Sequence, residues 1–255
     1  MLLVIDAGNT NVAIGVYREE ELLFVSRLAT DPTMTEDQFA IALSNIFKLN
    51  GIEGATFKGA AISSVVPELT RAIKRGARKV TESEPVVLGP GVKTGLDIRI
   101  DNPTELGADL AATAVGALGK YELPCIIVDL GTATKVTVLG EDGAFLGCAI
   151  APGMLISLNA LAKGASQLSS IALKSPRATI GTNTVESMRA GLVHGTAEML
   201  DGLIDRMNRE LSTEAKTIVA TGGLCTVVAK HCRYEMVIDQ NLLLEGLRKV
   251  YEKNN

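Results

Sequence analysis

Two short segments of the chain place an aspartate, a glycine and a threonine directly after an apolar run. The first, Asp-Ala-Gly-Asn-Thr, begins at Asp6, and the second, Asp-Leu-Gly-Thr-Ala-Thr, begins 123 residues later at Asp129. Glycine lets backbone N–H groups approach phosphate oxygens closely, and threonine hydroxyls add donors. A carboxylate at the end of an apolar strand could hold a cation near a polyphosphate. The alternative is that each aspartate only caps its own turn, but two corresponding segments favour phosphate binding.

Two other places could take part in the same chemistry. Residues 220–223, Ala-Thr-Gly-Gly, lie between an apolar strand and a helical pattern. They could receive a nucleoside against the glycine backbone or a phosphate at the helix end, although an ordinary turn fits nearly as well. Asp109 follows Gly107-Ala108 on the flank of a predicted helix and is the candidate base, since phosphoryl transfer to an alcohol needs one oriented base. A solvated helix residue is the alternative for Asp109.

The elements that must position these residues occur in a repeated order. Apolar runs and helical periods in the first half predict strands at 2–6, 12–17, 22–28, 58–66 and 85–88 and helices at 35–49 and 67–79. A further helix is expected with Asn102 as its cap and Pro103 at its first position. The second half predicts strands at 125–129, 136–139, 144–150, 216–220 and 235–238, a long helix over 185–211, a helix ending near 231 and another from 241. This repetition indicates an internal duplication, with one α/β lobe over 1–117 and a second over 118–255.

The composition of the chain limits the classes of function that it can have. Apolar residues make up 47% of the 255 residues while aromatic residues make up 4%, so the core must be aliphatic, as in α/β layers with buried strands. The net charge of −4 comes without a basic block, which argues against nucleic acid as a partner. No apolar run approaches the roughly 20 residues that span a bilayer. The four cysteines form no Cys-x-x-Cys pair and are interpreted as free thiols in a reducing cytosol.

Taken in order, the motifs resemble those of the type III pantothenate kinases, in the acetate kinase/sugar kinase/Hsp70/actin superfamily. The matching segments run through almost the whole chain: DAGNTN (6–11), VKTGLDIRIDNPTELGAD (92–109), VDLGTAT (128–134), AIAPGM (149–154), IGTNTVESMRAGL (180–192) and ATGG (220–223). The resemblance implies two duplicated RNase H-like lobes with a nucleotide cleft between them. It also implies a cytoplasmic homodimer that uses ATP, Mg²⁺ and a monovalent cation, K⁺ or NH₄⁺, to phosphorylate the primary hydroxyl of pantothenate, the first step toward coenzyme A.

The resemblance also implies roles for individual residues. The nucleotide would contact two phosphate loops and a glycine pair: Asp6, Gly8, Asn9, Thr10; Gly131, Thr132, Ala133, Thr134; Gly222, Gly223. Asp6 would hold a metal ion, Asp129 would hold the monovalent cation, and Asp109 would deprotonate the pantothenate hydroxyl. The substrate side would comprise Ile100, Gly107, Ala108 and Leu110, together with Thr182 or Thr184 reaching across from the other subunit.

Four positions depart from the family pattern. Leu110 stands where an arginine is expected to pair with the substrate carboxylate, and Ile100 stands where a tyrosine is expected in the substrate wall. Lys135 replaces a threonine after the second phosphate loop, and Gly147-Cys148 replaces a Gly-Gly pair. These departures leave two alternatives open: a non-catalytic relative that binds a nucleotide or ligand as a regulator, and a kinase for another small alcohol. Transfer of the arginine's role to Lys135 would favour the pantothenate kinase.

Overall fold

The computed structural model describes residues 1–164 and 171–255. The ten strands in these ranges are β1 Leu2–Ala7, β2 Asn11–Arg18, β3 Glu21–Ala29, β4 Gly59–Ser64, β5 Val86–Val87, β6 Cys125–Leu130, β7 Ala133–Leu139, β8 Phe145–Pro152, β9 Thr217–Thr221 and β10 Val237–Ile238. The α-helices there are α1 Glu36–Leu49, α2 Pro67–Thr81, α3 Ala108–Ala117, α4 Met154–Gly164, α5 Thr184–Glu210, α6 Cys225–Val228 and α7 Leu242–Asn254. Within the same ranges, none of the helices has both the length and the apolarity that a bilayer crossing needs.

The two sheets have the same strand pattern. The first has the order β3-β2-β1-β4-β5, and β1 pairs antiparallel with β2 and parallel with β4. The second has the order β10-β9-β6-β7-β8, and β6 pairs antiparallel with β7 and parallel with β9. Both central strands are nearly continuous apolar runs, as expected where both faces of a strand are covered. The predicted α/β class with a repeated sheet is confirmed.

The chain forms two compact units that are not contiguous in sequence. The first unit comprises Met1–Leu96, Asn102–Leu118 and Leu242–Asn255, and the second comprises Asp97–Asp101 and Gly119–Asn241. The grouping differs from the predicted lobes 1–117 and 118–255, since α7 belongs to the first unit although it ends the chain.

Two glycines explain why α7 packs in the first unit. A Cβ on Gly246 would clash with the backbone carbonyl of Ala112, and a Cβ on Gly116 would clash with the carbonyl of Leu242. Helices α3 and α7 therefore cross with their backbones in close contact. Leu244, Leu247 and Val250 add apolar contacts to the same core. Periodicity alone predicted α7 but did not reveal which sheet it covers.

The predicted start of a helix at Pro103 is wrong. Asn102 does act as a cap, because its side chain accepts a hydrogen bond from Thr104 N at 3.2 Å, but only a single 3₁₀ turn over Pro103–Glu105 follows. Leu106 then adopts extended backbone angles, and α3 begins at Ala108 with Gly107 as its N-cap. The exposed residues of the 3₁₀ turn have no apolar face to pack, whereas most of α3 is buried.

Helix α4 was not predicted, since its apolar side chains are not confined to one face. Met154 and Leu158 are buried, while Leu155, Ile156 and Leu161 are exposed. In contrast, the long predicted helix is present as α5, which buries one face in its own unit through Leu192, Leu200 and Ile204, among others.

Candidate functional site

The first predicted phosphate loop joins the central strand β1 to β2. Gly8 N–H donates to the Asn11 carbonyl at 3.0 Å and closes the turn. From outside the turn, the Thr30 hydroxyl donates to the Gly8 carbonyl at 2.6 Å, and Thr30 N–H donates to the Thr10 carbonyl at 3.1 Å. Asn9 and Thr10 are exposed at the tip. Thr30 therefore fixes the backbone of the loop, while the tip of the loop is accessible to a ligand.

Asp6 lies one residue before the end of β1 and is half-buried. The strand register places it opposite Ala13 on β2 and opposite Ser63 on β4, and Ser63 is fully buried. Residues opposite each other in a sheet share a face, so the carboxylate and the Ser63 hydroxyl belong to the same face of this sheet. One carboxylate beside a phosphate loop is the arrangement by which Mg²⁺ is commonly held, together with substrate phosphates.

The second predicted phosphate loop joins β6 to β7 in the second unit. Gly131 N–H donates to the Ala133 carbonyl at 3.2 Å, so the turn is tighter than that of the first loop. Gly153 lies directly against it, because a Cβ at this position would come within 2.7 Å of the Gly131 carbonyl oxygen and would clash with that of Thr132. Sequence reasoning did not assign Gly153 a role. Its signal was the Ala-Pro-Gly-Met segment that contains it.

Thr134, next to this loop, has a buried hydroxyl. The side chain is only 1% exposed, and its Oγ1 has no hydrogen-bond partner within residues 1–164 and 171–255. A buried hydroxyl without a partner is costly, and such groups usually have a functional reason. An anion bound at the loop would satisfy it.

Asp129 is paired with a lysine of its own hairpin. Lys135 on β7 lies directly opposite Asp129 on β6, and the Lys135 ammonium is 2.8 Å from Asp129 Oδ2. Both side chains are largely buried, with 13% and 18% exposure respectively. The sequence showed Lys135 as a departure from the family pattern, but the pairing depends on the hairpin register, in which Leu130 pairs with Thr134 across three intervening residues, 131–133.

The other oxygen of Asp129 packs against Gly222. A Cβ on Gly222 would lie 2.7 Å from Asp129 Oδ1 and 2.6 Å from the Leu130 carbonyl carbon, and its φ of +88° also favours glycine. A Cβ on Gly223, in contrast, would meet nothing within 4 Å among the described residues. Gly222 thus gives a close approach between β6 and the segment after β9, and Gly223 faces open space.

The helix after this glycine pair is shorter than predicted. Helix α6 is one turn, and a 3₁₀ turn over Ala229–His231 follows it. Burial raises the pKa of the Cys225 thiol at the start of α6, which favours the neutral thiol over the thiolate.

Asp109 is the second residue of α3. Its Oδ1 accepts a hydrogen bond from Leu110 N–H at 2.8 Å, and a Cβ on Gly107 would lie 2.7 Å from the same oxygen. The absence of a side chain at Gly107 therefore leaves room for the carboxylate in this position. Ala108 and Leu110 flank it and are half-buried.

The remaining predicted substrate residues lie in the second unit. Ile100 is half-buried in Asp97–Asp101, which is held there by a hydrogen bond from Arg99 N–H to the Phe145 carbonyl at 2.9 Å. Thr182 and Thr184 are exposed on either side of Asn183, the N-cap of α5. The structure thus groups Gly107, Ala108, Asp109 and Leu110 at the start of α3. It places Ile100 on one segment of the second unit and Thr182 and Thr184 on another.

Comparison with known proteins identifies relatives of the full chain. Residues 2–206 match the family model described as type III pantothenate kinase. A type III pantothenate kinase of Halalkalibacterium halodurans is 41% identical over 254 residues, covering 100% of both chains. One of Geobacter sulfurreducens is 42% identical over 254 residues, covering 100% of this chain and 99% of the relative.

Solved structures support the fold at low identity. The activator of the 2-hydroxyisocaproyl-CoA dehydratase from Clostridium difficile, with bound ADPNP, has a TM-score of 0.59 and 13% identity, covering 98% of this chain and 94% of that chain. A ROK family glucokinase from Streptomyces griseus, in complex with glucose and AMPPNP, has a TM-score of 0.52 and 13% identity, covering 99% of both chains. At these identities the likeness shows the fold alone, and it confirms the predicted sugar-kinase type of α/β fold. From the family model and the full-length identity to its curated relatives, the chain belongs to the type III pantothenate kinase family.

Proposed function

We propose that this chain is a pantothenate kinase, which transfers the γ-phosphoryl group of ATP to the primary hydroxyl of pantothenate in coenzyme A biosynthesis. Family membership supports the reaction. The observation that carries the phosphate chemistry is the repeated loop at the end of each central strand, with the buried Thr134 hydroxyl beneath the second copy. Four cysteines present as thiols support a location in the cytoplasm.

The two loops have separate roles in holding the nucleotide phosphates. The exposed tip of the first loop, at Asn9 and Thr10, offers backbone and side-chain donors, and the second offers Thr132 and the hydroxyl of Thr134. Gly222 and Gly223 border the nucleotide. Asp6 supplies the carboxylate for Mg²⁺, which when bound would offset charge on the transferring phosphoryl group.

Asp109 acts as the general base. Its carboxylate takes the proton of the pantothenate hydroxyl while that oxygen forms a bond to the γ-phosphorus, and the bond from this phosphorus to the bridging oxygen of ADP breaks. ADP leaves with the electron pair of that bond. Gly107 leaves space for the carboxylate, and the Leu110 N–H donates a hydrogen bond to one of its oxygens, which orients the group as a base.

We also propose that the chain works as a homodimer. Large apolar side chains between residues 146 and 185 are exposed: Leu146, Ile150, Leu155, Ile156, Leu161, Ile180 and Val185. Exposed apolar side chains that lie together mark interaction surfaces, and this set supports a subunit interface. A partner on this surface would bring Thr182 or Thr184 of one subunit toward the pantothenate bound by the other.

The kinase assignment is tested by coupled ADP release with ATP, Mg²⁺ and pantothenate, for wild type and Asp109→Asn. Removing a general base is expected to lower kcat about 10²- to 10⁴-fold while the Kd of a non-hydrolysable ATP analogue stays unchanged. Glu68→Gln is the matched control, because Glu68 is an exposed acid in the first turn of α2 in the same unit. It is expected to behave as wild type.

The outcome that overturns this proposal is a folded wild type that binds the ATP analogue and releases no ADP when pantothenate is added. Such a protein would be a nucleotide-binding regulator or a kinase for another alcohol. Full activity in Asp109→Asn would overturn the role of Asp109 alone.

A further inference from the structure

The Asp129–Lys135 ion pair occupies the position at which the family resemblance implies K⁺ or NH₄⁺. The lysine ammonium lies 2.8 Å from Asp129 Oδ2, and both groups are mostly shielded from solvent. An ammonium group carries the same charge as K⁺ or NH₄⁺ and donates hydrogen bonds as NH₄⁺ does. The carboxylate therefore already has a cation, and that cation is part of the chain.

The backbone fixes this arrangement. Asp129 and Lys135 are directly opposite in the β6–β7 hairpin, so their side chains share one face of the sheet. In the first unit the corresponding aspartate, Asp6, lies opposite Ala13, which has no charge. The lysine is thus a feature of the second loop and not of the repeated sheet.

The space around the other carboxylate oxygen is also restricted. Asp129 Oδ1 lies close to two glycines. A Cβ on Gly222 would lie 2.7 Å from this oxygen, and a Cβ on Gly131 would lie 3.4 Å from it. A second cation would share a single carboxylate with the lysine ammonium and would be repelled by it. The residues present at Asp129 therefore do not fit a bound monovalent cation.

We propose that Lys135 replaces the monovalent cation, and that phosphoryl transfer by this chain is independent of K⁺ and NH₄⁺. The inference rests on the proposed kinase function. Held by Asp129, the ammonium supplies a permanent positive charge next to the loop over 131–134, where the phosphates bind. Because the charge is covalently attached, it is present at this position whichever salt is in solution.

The first test measures turnover in tetramethylammonium chloride, with KCl or NH₄Cl exchanged in at constant ionic strength. Wild type is expected to show the same kcat and KM for ATP in all three salts. Lys135→Thr is expected to lose at least about tenfold in kcat/KM without K⁺, because it lacks the positive charge next to the phosphates and leaves the Asp129 carboxylate without the lysine. The activity is expected to recover with K⁺ or NH₄⁺. Lys135→Arg keeps the charge and should stay independent of the salt.

The second test does not depend on activity. The melting temperature is measured with saturating MgADP in tetramethylammonium and in K⁺. A cation that binds only the folded state raises the melting temperature by linkage, so K⁺ is expected to stabilise Lys135→Thr and to leave wild type unchanged. Lys216→Thr is the matched control, because Lys216 is an exposed lysine directly before the first residue of β9. This variant should respond to K⁺ as wild type does.

A wild type whose turnover requires K⁺ or NH₄⁺, or whose melting temperature rises in K⁺, would overturn the inference. So would a Lys135→Thr variant that is as insensitive to K⁺ as wild type in both tests. If wild type shows no pantothenate-dependent turnover in any salt, the proposed function fails, and the melting temperatures alone still decide whether Lys135 takes the place of the cation.

Discussion

Thr134→Val is expected to make the free protein more stable and its nucleotide affinity weaker. The substitution keeps the shape of the side chain and removes only the hydroxyl. Thr134 is 1% exposed, and none of the described residues bonds to its Oγ1. A buried hydroxyl without a partner costs about 1–3 kcal/mol, so its loss should stabilise the second unit by an amount in that range.

The effect on the nucleotide has the opposite sign. A hydrogen bond to a charged group contributes about 1.5–3 kcal/mol, which corresponds to roughly a 10- to 150-fold change in Kd. Calorimetric titration with a non-hydrolysable ATP analogue and Mg²⁺ measures the Kd, and thermal unfolding without nucleotide measures the stability. Thr137→Val is the control for binding, because Thr137 is buried on the same strand three residues farther from the loop, and its Kd should equal that of wild type.

A Thr134→Val variant that is less stable than wild type and binds the nucleotide equally well would refute this reasoning. That result would mean that the Thr134 hydroxyl supports the fold of the hairpin. It would also mean that the hydroxyl does not bind the nucleotide phosphates.

Other substitutions test the packing and the substrate side. Gly246→Ala should lower the free energy of unfolding by at least about 3 kcal/mol in denaturant titration, because its Cβ would clash with the Ala112 carbonyl. Gly202→Ala, in a helix where a Cβ would meet nothing within 4 Å, should instead raise it by about 0.5–1 kcal/mol; equal effects would contradict the close crossing of α3 and α7. Leu110→Arg should lower the KM for pantothenate about tenfold or more in steady-state assays, since an arginine can pair with the carboxylate; an unchanged KM would show that position 110 does not face that group.

The sequence predicted those parts of the fold that depend on local patterns. Apolar runs located β1 and β6, and the Asp-Gly-Thr turns located both loops, because buried strands and glycine turns leave strong signals in composition. Asn102 illustrates the limit of such signals. It caps the chain as expected, yet only a 3₁₀ turn follows, since no apolar face continues the helix there.

Contacts between distant segments were not predictable from these patterns. The position of α7 depends on a backbone contact between Gly246 and Ala112, which are more than a hundred residues apart. The support of the second loop by Gly153 depends on the pairing of β8 with β7. Each of these residues was visible in the sequence, but its partner was set by the tertiary structure.

Identification of the phosphorylated product tests the proposed kinase activity without a coupled assay. Wild type is incubated with ATP, Mg²⁺ and either pantothenate or the analogue in which a hydroxyl replaces the carboxylate, and the products are analysed by ³¹P NMR and mass spectrometry. The expected product is a phosphate ester on the primary hydroxyl of pantothenate, formed by Asp109→Asn about 10²- to 10⁴-fold more slowly than by wild type. Absence of any phosphorylated pantothenate, in a protein that binds nucleotide, or an ester formed on the analogue alone, would contradict this expectation.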